Sequence, residues 1–293
     1  MTVEVPASLR SEIRRRLLDA KDQLWRDLPW RHTRDPWHVL VSEVMLQQTQ
    51  APRVVGPYSR FVARFPTPAV CAAAGAPAVV REWEGLGYNR RAQFLHRAAV
   101  AIVQRHGGAV PASVEALRAL PGIGPYTARA VLAFAFDAPL GVVDTNVARV
   151  LARAVAGREL QPSERQSLAD DLVPGDAAWA FNQALFDLGA RHCTSRSPRC
   201  AHCPLRRSCR WRRAGSPQPD PAASRRRPQS AFDGSDRQGR GRLVAALRRA
   251  PVPSAALAAA AGWPYESERA VRVAAALVDE GMAGWEAGSL TLV

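Results

Sequence analysis

Lysine is almost absent from this sequence. Lys21 is the only one in 293 residues, and every other one of the 40 basic side chains is arginine. A reaction that needs a lysine amine as its nucleophile, such as Schiff-base formation, therefore has a single candidate residue. The basic side chains outnumber the 26 acidic ones and give a net charge of +14. This excess predicts a polyanionic partner, nucleic acid before an anionic membrane; a basic protein with no such partner is the alternative.

Long apolar runs and secretory features are lacking too. No apolar stretch reaches the ~18 residues of a membrane-spanning helix, and residues 1–18 do not have the basic-then-apolar order of a secretory signal. We therefore expect a soluble, cytoplasmic protein. In that reducing compartment, five cysteines argue against a disulfide framework. The hydrophobic fraction of 47% excludes a wholly disordered chain.

Alternating strand patterns are nearly absent over residues 1–212, which predicts an all-α domain. Leu9, Ile13 and Leu17 recur every four residues and indicate the first helix. Proline and glycine separate the apolar segments that follow. These segments predict helices over residues 37–49, 52–64, 76–84, 90–106, 113–119, 126–136, 145–156, 162–172 and 177–190.

The C-terminal part has a different composition. Residues 213–232 are rich in Pro, Ser and Arg, which is typical of a basic linker. Residues 233–293 predict a separate small domain, with helices over 240–249, 253–262 and 266–281 followed by a short hairpin. This order is similar to that of a winged helix. A stabilising helical cap is the alternative.

Four of the five cysteines lie in one loop, residues 193–209. Cys193, Cys200, Cys203 and Cys209 have the spacing C-x6-C-x2-C-x5-C, and four thiolates in one short loop can bind a metal centre. A zinc site is the alternative, but it usually has two C-x2-C pairs and this loop has one. The spacing resembles the cysteine loop of the endonuclease III and adenine glycosylase superfamily, which implies a [4Fe-4S] cluster bound by these four residues.

Residues 120–128 read Leu-Pro-Gly-Ile-Gly-Pro-Tyr-Thr-Ala between two predicted helices. Gly122 and Gly124 allow the backbone to come close to a ligand, and the amides that start the second helix attract an anion. This pattern is typical of a helix-hairpin-helix, which binds a DNA phosphate without reading the base sequence. A Rossmann or P-loop site is excluded because no strand precedes the glycines and no Gly-Lys-Ser/Thr follows them.

Two carboxylates have surroundings suited to catalysis. Asp144 ends an apolar run where a helix begins; a plain N-cap is the alternative. The helix amides there are expected to keep the carboxylate ionised, so that it can face a developing positive charge. Glu43 lies among the apolar residues of 39–46, so we expect a raised pKa and a role as general acid. For Glu43 a salt-bridged helix carboxylate is the alternative.

Residues 42–50 read Ser-Glu-Val-Met-Leu-Gln-Gln-Thr-Gln and closely resemble a motif of the MutY family of adenine DNA glycosylases. The resemblance covers about residues 8–212. It implies a helix-hairpin-helix DNA glycosylase fold. It also implies a base excision repair enzyme that removes adenine mispaired with 8-oxoguanine or guanine from double-stranded DNA. Such an enzyme is expected to be a monomer associated with the nucleoid. The further matches are Leu28–Arg31, Gly85–Tyr88, Leu120–Gly124, Asp144 with Asn146, Phe181–Ala184, Leu188–Ala190 and the cysteine loop.

The resemblance implies a role for each matched residue. Glu43 protonates adenine N7, and ionised Asp144 stabilises the oxocarbenium-like sugar. Tyr126 lines the sugar side of the pocket, where bifunctional relatives carry a nucleophilic lysine, and Asn146 orients groups there. A monofunctional enzyme without lyase activity is therefore expected. DNA is contacted by Trp30 and Arg31 at the flipped adenine, by Gln48 and Tyr88 inserted into the duplex, and by Gly122 and Gly124 at a phosphate; for Tyr88, a core aromatic is the alternative.

Two features depart from the family pattern. Asn89 stands where the family usually has a second tyrosine, next to Tyr88, so discrimination between base pairs is expected to differ. Residues 233–293 do not resemble the C-terminal 8-oxoguanine-recognition domain of long family members, so a short form is expected. Two other hypotheses compete with adenine removal: a monofunctional glycosylase of the same fold acting on thymine or uracil opposite guanine, and a non-catalytic DNA-binding protein.

Overall fold

The computed structural model describes residues 5–222 and 231–293. Helices make up most of these residues, which confirms the predicted class. Within the described ranges, none of the helices combines the length and the apolar character needed to cross a membrane. The helices are α1 (Ala7–Asp19), α2 (Lys21–Leu24), α3 (Pro36–Leu46), α4 (Ala51–Arg64), α5 (Pro68–Glu82), α6 (Arg90–His106), α7 (Val114–Arg118), α8 (Pro125–Ala135), α9 (Thr145–Val150), α10 (Pro162–Leu172), α11 (Ala178–Arg191), α12 (Arg210–Arg213), α13 (Asp236–Leu247), α14 (Leu257–Ala261) and α15 (Ser267–Asp279).

The chain folds into two compact units. Unit 1 consists of the described residues in Met1–Pro36, Ala112–Val114 and Gly124–Arg226, and unit 2 of those in Trp37–Pro111, Glu115–Ile123 and Arg227–Val293. The predicted boundaries, with domains at 1–212 and 233–293 and a linker at 213–232, stay a prediction. Residues 223–230 of that linker lie outside the described residues.

The core of unit 1 is formed by α1, α9, α10 and α11. Ile13 and Leu17 of α1 are fully buried, which confirms the apolar face that their spacing predicted. They share one hydrophobic cluster with Val150 of α9 and Phe181 of α11. Burial of each such side chain contributes about 1.5–3 kcal/mol to folding. The helix predicted after Asp144 continues from α9 into a π-helical segment, Leu151–Ala156.

In unit 2, α5 is longer than predicted. It begins at Pro68, whereas the apolar pattern predicted a helix only over 76–84. The Thr67 side chain caps its N-terminus, and Gly75, with φ of 77°, interrupts the helical backbone between its two segments. The apolar repeat did not predict the first segment, because the helical repeat of apolar residues is interrupted at such a kink. Cys71 in the first segment is fully buried, as expected of a small core residue.

Residues 233–293, the predicted small domain that is called the C-terminal domain below, fall within unit 2. It contains α13, α14 and α15 and a three-stranded antiparallel sheet in the order β1-β3-β2. The predicted hairpin is confirmed as β2 and β3, whereas the two-residue β1 is too short to give a strand pattern. Helix, strand, two helices and two strands follow one another as in a winged helix. The strands are β1 (Val252–Pro253), β2 (Ala283–Glu286) and β3 (Ser289–Leu292).

Candidate active site and cysteine loop

Glu43 lies on a helix that is buried on all sides. Its side chain, in the middle of α3, is 5% exposed, and α3 has buried residues at Trp37 and at every position from Val39 to Met45. A helix without a solvated face belongs inside a protein core. The apolar surroundings that the sequence predicted for Glu43 are therefore present in unit 2.

Asp144 is the N-cap of α9. Its Oδ1 accepts a hydrogen bond from the Val147 backbone N–H at 2.6 Å, and its Oδ2 accepts one from the Asn146 side-chain amide at 2.8 Å. Burial raises the pKa of Asp144, although both hydrogen bonds and the nearby Arg149 cation oppose this rise. We expected the helix amides to dominate. The desolvation of the carboxylate is the larger effect, because the group sits below the protein surface.

The backbone that leads to Asp144 is fixed by Asn182 of α11. The buried Asn182 side chain accepts a hydrogen bond from Val142 N at 3.1 Å and donates one to Leu140 O at 3.0 Å. A side-chain amide that satisfies both backbone groups replaces the pairing that a sheet would supply. The sequence reasoning matched Asn182 to a family motif but assigned it no role.

Close approach of α11 to α9 depends on Gly189. A Cβ at this position would lie 2.8 Å from Asn146 Cβ, closer than real side chains come. In the space so opened, Arg149 donates hydrogen bonds to Asn146 Oδ1 at 2.7 Å and to Gly189 O at 2.8 Å, and its Nε donates to Cys193 O. Arg149, which the sequence reasoning did not single out, thus joins the Asp144–Asn146 pair to the cysteine loop.

The four loop cysteines line one cavity. Cys193, Cys200, Cys203 and Cys209 are all free thiols, and the same cavity borders on every one of them. Burial, together with the other three cysteines, raises the pKa of Cys203 to about 12. Among residues 5–222 and 231–293, no group of three or more His, Cys, Asp or Glu side chains is arranged to hold a single metal ion.

An arginine outside the loop holds its backbone in place. The buried Arg153 donates hydrogen bonds to Thr194 O at 2.7 Å and Ser195 O at 3.0 Å, and it lies 3.6 Å from Cys193 Sγ. It also forms an ion pair with Asp220. Asp220 falls within the predicted linker, so the described beginning of that segment is part of unit 1.

Trp30 and Arg31, the predicted adenine contacts, are both buried in unit 1. The Arg31 guanidinium forms a two-pronged ion pair with Asp187 of α11, at 2.6 and 2.8 Å. Arg26 bonds the same carboxylate. A contact with adenine stays a prediction for Arg31, and the geometry gives it a second role as the partner of a buried charge that the sequence did not reveal.

Gln48 and Tyr88, the residues predicted to insert into the duplex, have left-handed backbones with φ of 56° and 46°. Both side chains are exposed. A non-glycine residue persists in this region only where its surroundings fix it. The surroundings include Arg91, whose buried guanidinium donates to Gln47 O at 2.6 Å and to Gly87 O at 3.1 Å. The exposure of Tyr88 argues against the alternative of a core aromatic.

The glycine-rich turn joins α7 to α8, as the helix-hairpin-helix pattern predicted. Gly122 has φ of 76°, and a Cβ there would lie 2.6 Å from Phe94 Cβ, so no other residue fits. Gly124 is the N-cap of α8, and Tyr126 lies in the first turn of that helix. Binding of a phosphate at this helix N-terminus stays a prediction.

The structure brings some predicted site residues together within one unit. Asp144 and Asn146 are hydrogen-bonded in unit 1, which also contains Tyr126, Trp30, Arg31 and the four loop cysteines. Unit 2 contains Glu43, Gln48, Tyr88 and Gly122. A base pocket shared by Glu43 and Asp144 stays a prediction.

Known proteins resemble this chain over most of its length. The HhH-GPD superfamily of base excision DNA repair proteins matches residues 41–174. The adenine DNA glycosylase of Mycolicibacterium smegmatis is 47% identical over 241 residues, which cover 81% of this chain and 80% of that protein. The adenine DNA glycosylase of Mycobacterium tuberculosis (strain CDC 1551 / Oshkosh) is 49% identical over 78% of this chain and 76% of its own.

A solved structure supports the fold. A thermostable thymine-DNA glycosylase matches with a TM-score of 0.64 at 30% sequence identity, over 70% of this chain and 98% of its own. In sequence, the two mycobacterial adenine DNA glycosylases are 47% and 49% identical to this chain, and a thymine-DNA glycosylase of Aeropyrum pernix is 38% identical. The chain is therefore a member of the adenine DNA glycosylase family, the DNA-binding base excision repair enzymes with the HhH-GPD fold.

Proposed function

We propose that this protein is a monofunctional glycosylase that removes adenine paired with 8-oxoguanine or guanine and leaves the DNA strand intact. The observation that carries the proposal is the burial of Glu43 within apolar α3. Adenine leaves poorly as an anion, so the reaction needs a proton donor close to the base. A carboxyl group held away from water favours its protonated form and can supply that proton.

The reaction is assigned to two carboxyl groups. The target nucleotide leaves the base stack and enters the pocket. Glu43 gives its proton to adenine N7, the C1′–N9 bond breaks, and its electron pair stays with the base. Asp144 faces the resulting positive charge on the sugar. A water oxygen then bonds to C1′, and the proton that this water loses returns to Glu43.

Asn146 and Tyr126 complete the sugar side of the site. Asn146 holds Asp144 Oδ2 by its amide at 2.8 Å, so the carboxylate keeps one orientation while charge develops on the sugar. Tyr126, in the first turn of α8, stands where a bifunctional relative carries a lysine. A phenol cannot form a Schiff base, and Lys21 lies on α2, beside Asp22 at 3.8 Å. The abasic product is therefore left uncut.

DNA binding is assigned to exposed backbone and side chains. The turn that contains Gly122 and Gly124 binds a phosphate at the N-terminus of α8. Tyr88 and Gln48 enter the duplex at the mispair, a common way of holding distorted DNA, and Trp30 and Arg31 contact the adenine. The protein acts as a monomer on double-stranded DNA, in the cytoplasm, where the nucleoid lies.

The four loop cysteines are proposed to bind a [4Fe-4S] cluster. Four free thiols that border one cavity suit a group that takes four thiolates, because bound metal neutralises their charges. A cluster of this kind would fix the conformation of the loop and can take part in redox chemistry. Base removal is assigned to protein residues alone. Arg153 orients the loop backbone through Thr194 O and Ser195 O.

The similarity to a thymine-DNA glycosylase favours removal of thymine or uracil as the second candidate. Single-turnover excision from duplexes containing A:8-oxoguanine, A:G, T:G and U:G separates the two candidates. We expect adenine release with no strand cut until alkali is added. Preferential release of thymine or uracil, or cleavage without alkali, would overturn the proposal, and no release from any duplex favours a non-catalytic DNA-binding protein.

A further inference from the structure

The turn that carries Tyr88 joins α5 to α6. Tyr88 is 48% exposed and has φ of 46°, and the next residue, Asn89, is the N-cap of α6. Left-handed backbone is unfavourable for a tyrosine relative to the right-handed form. The turn therefore keeps this shape only if neighbouring groups hold both of its ends.

Arg91, which lies on α6, holds the middle of the turn. It donates hydrogen bonds to Leu86 O at 3.3 Å and Gly87 O at 3.1 Å. The same guanidinium reaches Val44 O and Met45 O at the end of α3. These bonds fix the middle of the turn but leave the Asn89 side chain without a bond from Arg91.

From the C-terminal domain, Arg248 holds both ends of the turn. Arg248 follows α13 directly, and its Nη2 donates to Asn89 Oδ1 at 2.7 Å while its Nε donates to Val80 O at 2.9 Å. Val80 lies in the last turn of α5, and Asn89 begins α6. One guanidinium thus sets the distance between the two helix ends from which Tyr88 projects, and Asn89 is only 7% exposed.

A second contact fixes the domain along α6. Gln93 donates a hydrogen bond to Gly281 O, and Arg97 Nη2 donates to Glu280 O at 3.4 Å. Both acceptors lie in the turn after α15. Gly281 has φ of 67°, a left-handed conformation that favours glycine in this turn. Two separate turns of the C-terminal domain therefore contact the first half of α6.

We propose that the C-terminal domain is part of the base-pair probing apparatus, and that Arg248 is a positioning residue that holds Tyr88 through Asn89. The proposal rests on the proposed function, because Tyr88 probes a base pair only in a mispair-specific glycosylase. Asn89, which departs from the family pattern, offers the oxygen that Arg248 binds. A tyrosine at this position offers no amide oxygen to Arg248.

The test uses the full-length chain with Arg248→Ala, Asn89→Ala and the double variant. Arg249→Ala, which removes an exposed arginine next in sequence, controls for lost charge. We expect each single variant to excise adenine from A:8-oxoguanine about tenfold more slowly, the effect of losing one charged hydrogen bond. The double variant should be no slower than either single one, because both remove the same contact.

Two further readouts separate positioning from loss of folding. Amide hydrogen exchange of residues 84–91 should rise in Arg248→Ala and Asn89→Ala but not in Arg249→Ala, with melting temperatures within about 3 °C of the wild type. Asn89→Asp keeps an acceptor for Arg248 and should restore both excision and protection. A fall in melting temperature shared by the whole chain contradicts a positioning role.

The inference fails if both single variants excise adenine like the wild type, or if their effects add in the double variant. It also fails if exchange over residues 84–91 is unchanged. Absence of adenine release by the wild type counts against the proposed function alone, because the exchange measurement still decides whether Arg248 orders the Tyr88 turn.

Discussion

Asn146 donates a hydrogen bond from its amide to Oδ2 of Asp144 at 2.8 Å, while the Val147 N–H occupies Oδ1. Both oxygens of the carboxylate therefore have a fixed donor. Asn146 is itself oriented by Arg149, which binds its Oδ1 at 2.7 Å. The direction in which Asp144 faces is set by a chain of three side chains. A small change in any of them is expected to act on catalysis before it acts on folding.

Asp144→Asn should abolish excision and yet stabilise the fold at neutral pH. Burial raises the pKa of Asp144 above the usual 3.8, so the ionised carboxylate opposes folding once the pH exceeds its folded-state pKa. Asparagine caps a helix about as well as aspartate and carries no charge. We expect a higher melting temperature at pH 7.5, because the loss of a buried charge outweighs the loss of the hydrogen bond that Asn146 donates to Oδ2.

The stabilisation by Asp144→Asn should depend on pH. Below the unfolded-state pKa, the aspartate is neutral in both states and the folded form keeps its full stability, so the advantage of Asp144→Asn should disappear near pH 3.8. Thermal melts from pH 4 to 8 measure it. Asp279→Asn, at an exposed carboxylate on α15, is the matched control. A variant less stable than the wild type at pH 7.5 contradicts the prediction.

Glu43→Gln should retain duplex binding and lose excision. Glutamine has nearly the same shape but cannot donate a carboxyl proton, so the rate constant should fall at least about a hundredfold, as expected for a lost general acid. Single-turnover excision from A:8-oxoguanine and gel mobility shifts with the same duplex measure the two effects. Glu268→Gln, at an exposed site on α15, is the control. Equal turnover by Glu43→Gln removes this residue from the mechanism.

Removal of either partner of the Arg31–Asp187 pair should destabilise unit 1. Both side chains are almost fully buried, so Arg31→Ala removes two charged hydrogen bonds and leaves Asp187 with Arg26 alone, and the free energy of unfolding should fall by about 1.5–3 kcal/mol. Arg31→Lys should recover little, because a lysine cannot make both bonds. Urea unfolding measures the loss. Lower excision by Arg31→Ala at unchanged stability points instead to direct contact with adenine.

The features that the sequence predicted correctly depend on neighbouring residues. The bounds of α6 and α10 follow from one apolar face each and from Gly107 or Pro162 at an end. The glycine-rich turn and the cap at Asp144 are equally local, because a turn and a cap are built by residues three or four apart. The grouping of the four loop cysteines could be predicted because they lie within 17 consecutive residues, 193–209.

The features that the sequence did not reveal depend on partners far along the chain. Arg31 meets Asp187 across 156 positions, and Arg248 meets Asn89 across 159. In a sequence with so many arginines, composition gives no indication of which guanidinium is buried or what it binds. The raised pKa of Asp144 has the same origin, because the helix amides are local in sequence, whereas the burial that outweighs them comes from packing.

Mutation of one loop cysteine should remove a visible chromophore. We expect purified protein to absorb at about 400 nm, as [4Fe-4S] proteins do. Cys203→Ala should lose this absorption band. Cys71→Ala, in the core of unit 2, should keep it. Colourless wild-type protein with one zinc per chain, measured by elemental analysis, contradicts the cluster.

Arg149 joins the cysteine loop to the catalytic aspartate, because it binds both Cys193 O and Asn146. Disorder in the loop should therefore slow excision. Arg149→Ala should also slow excision, with the absorption band retained. Full activity in Arg149→Ala contradicts the link between the loop and Asp144.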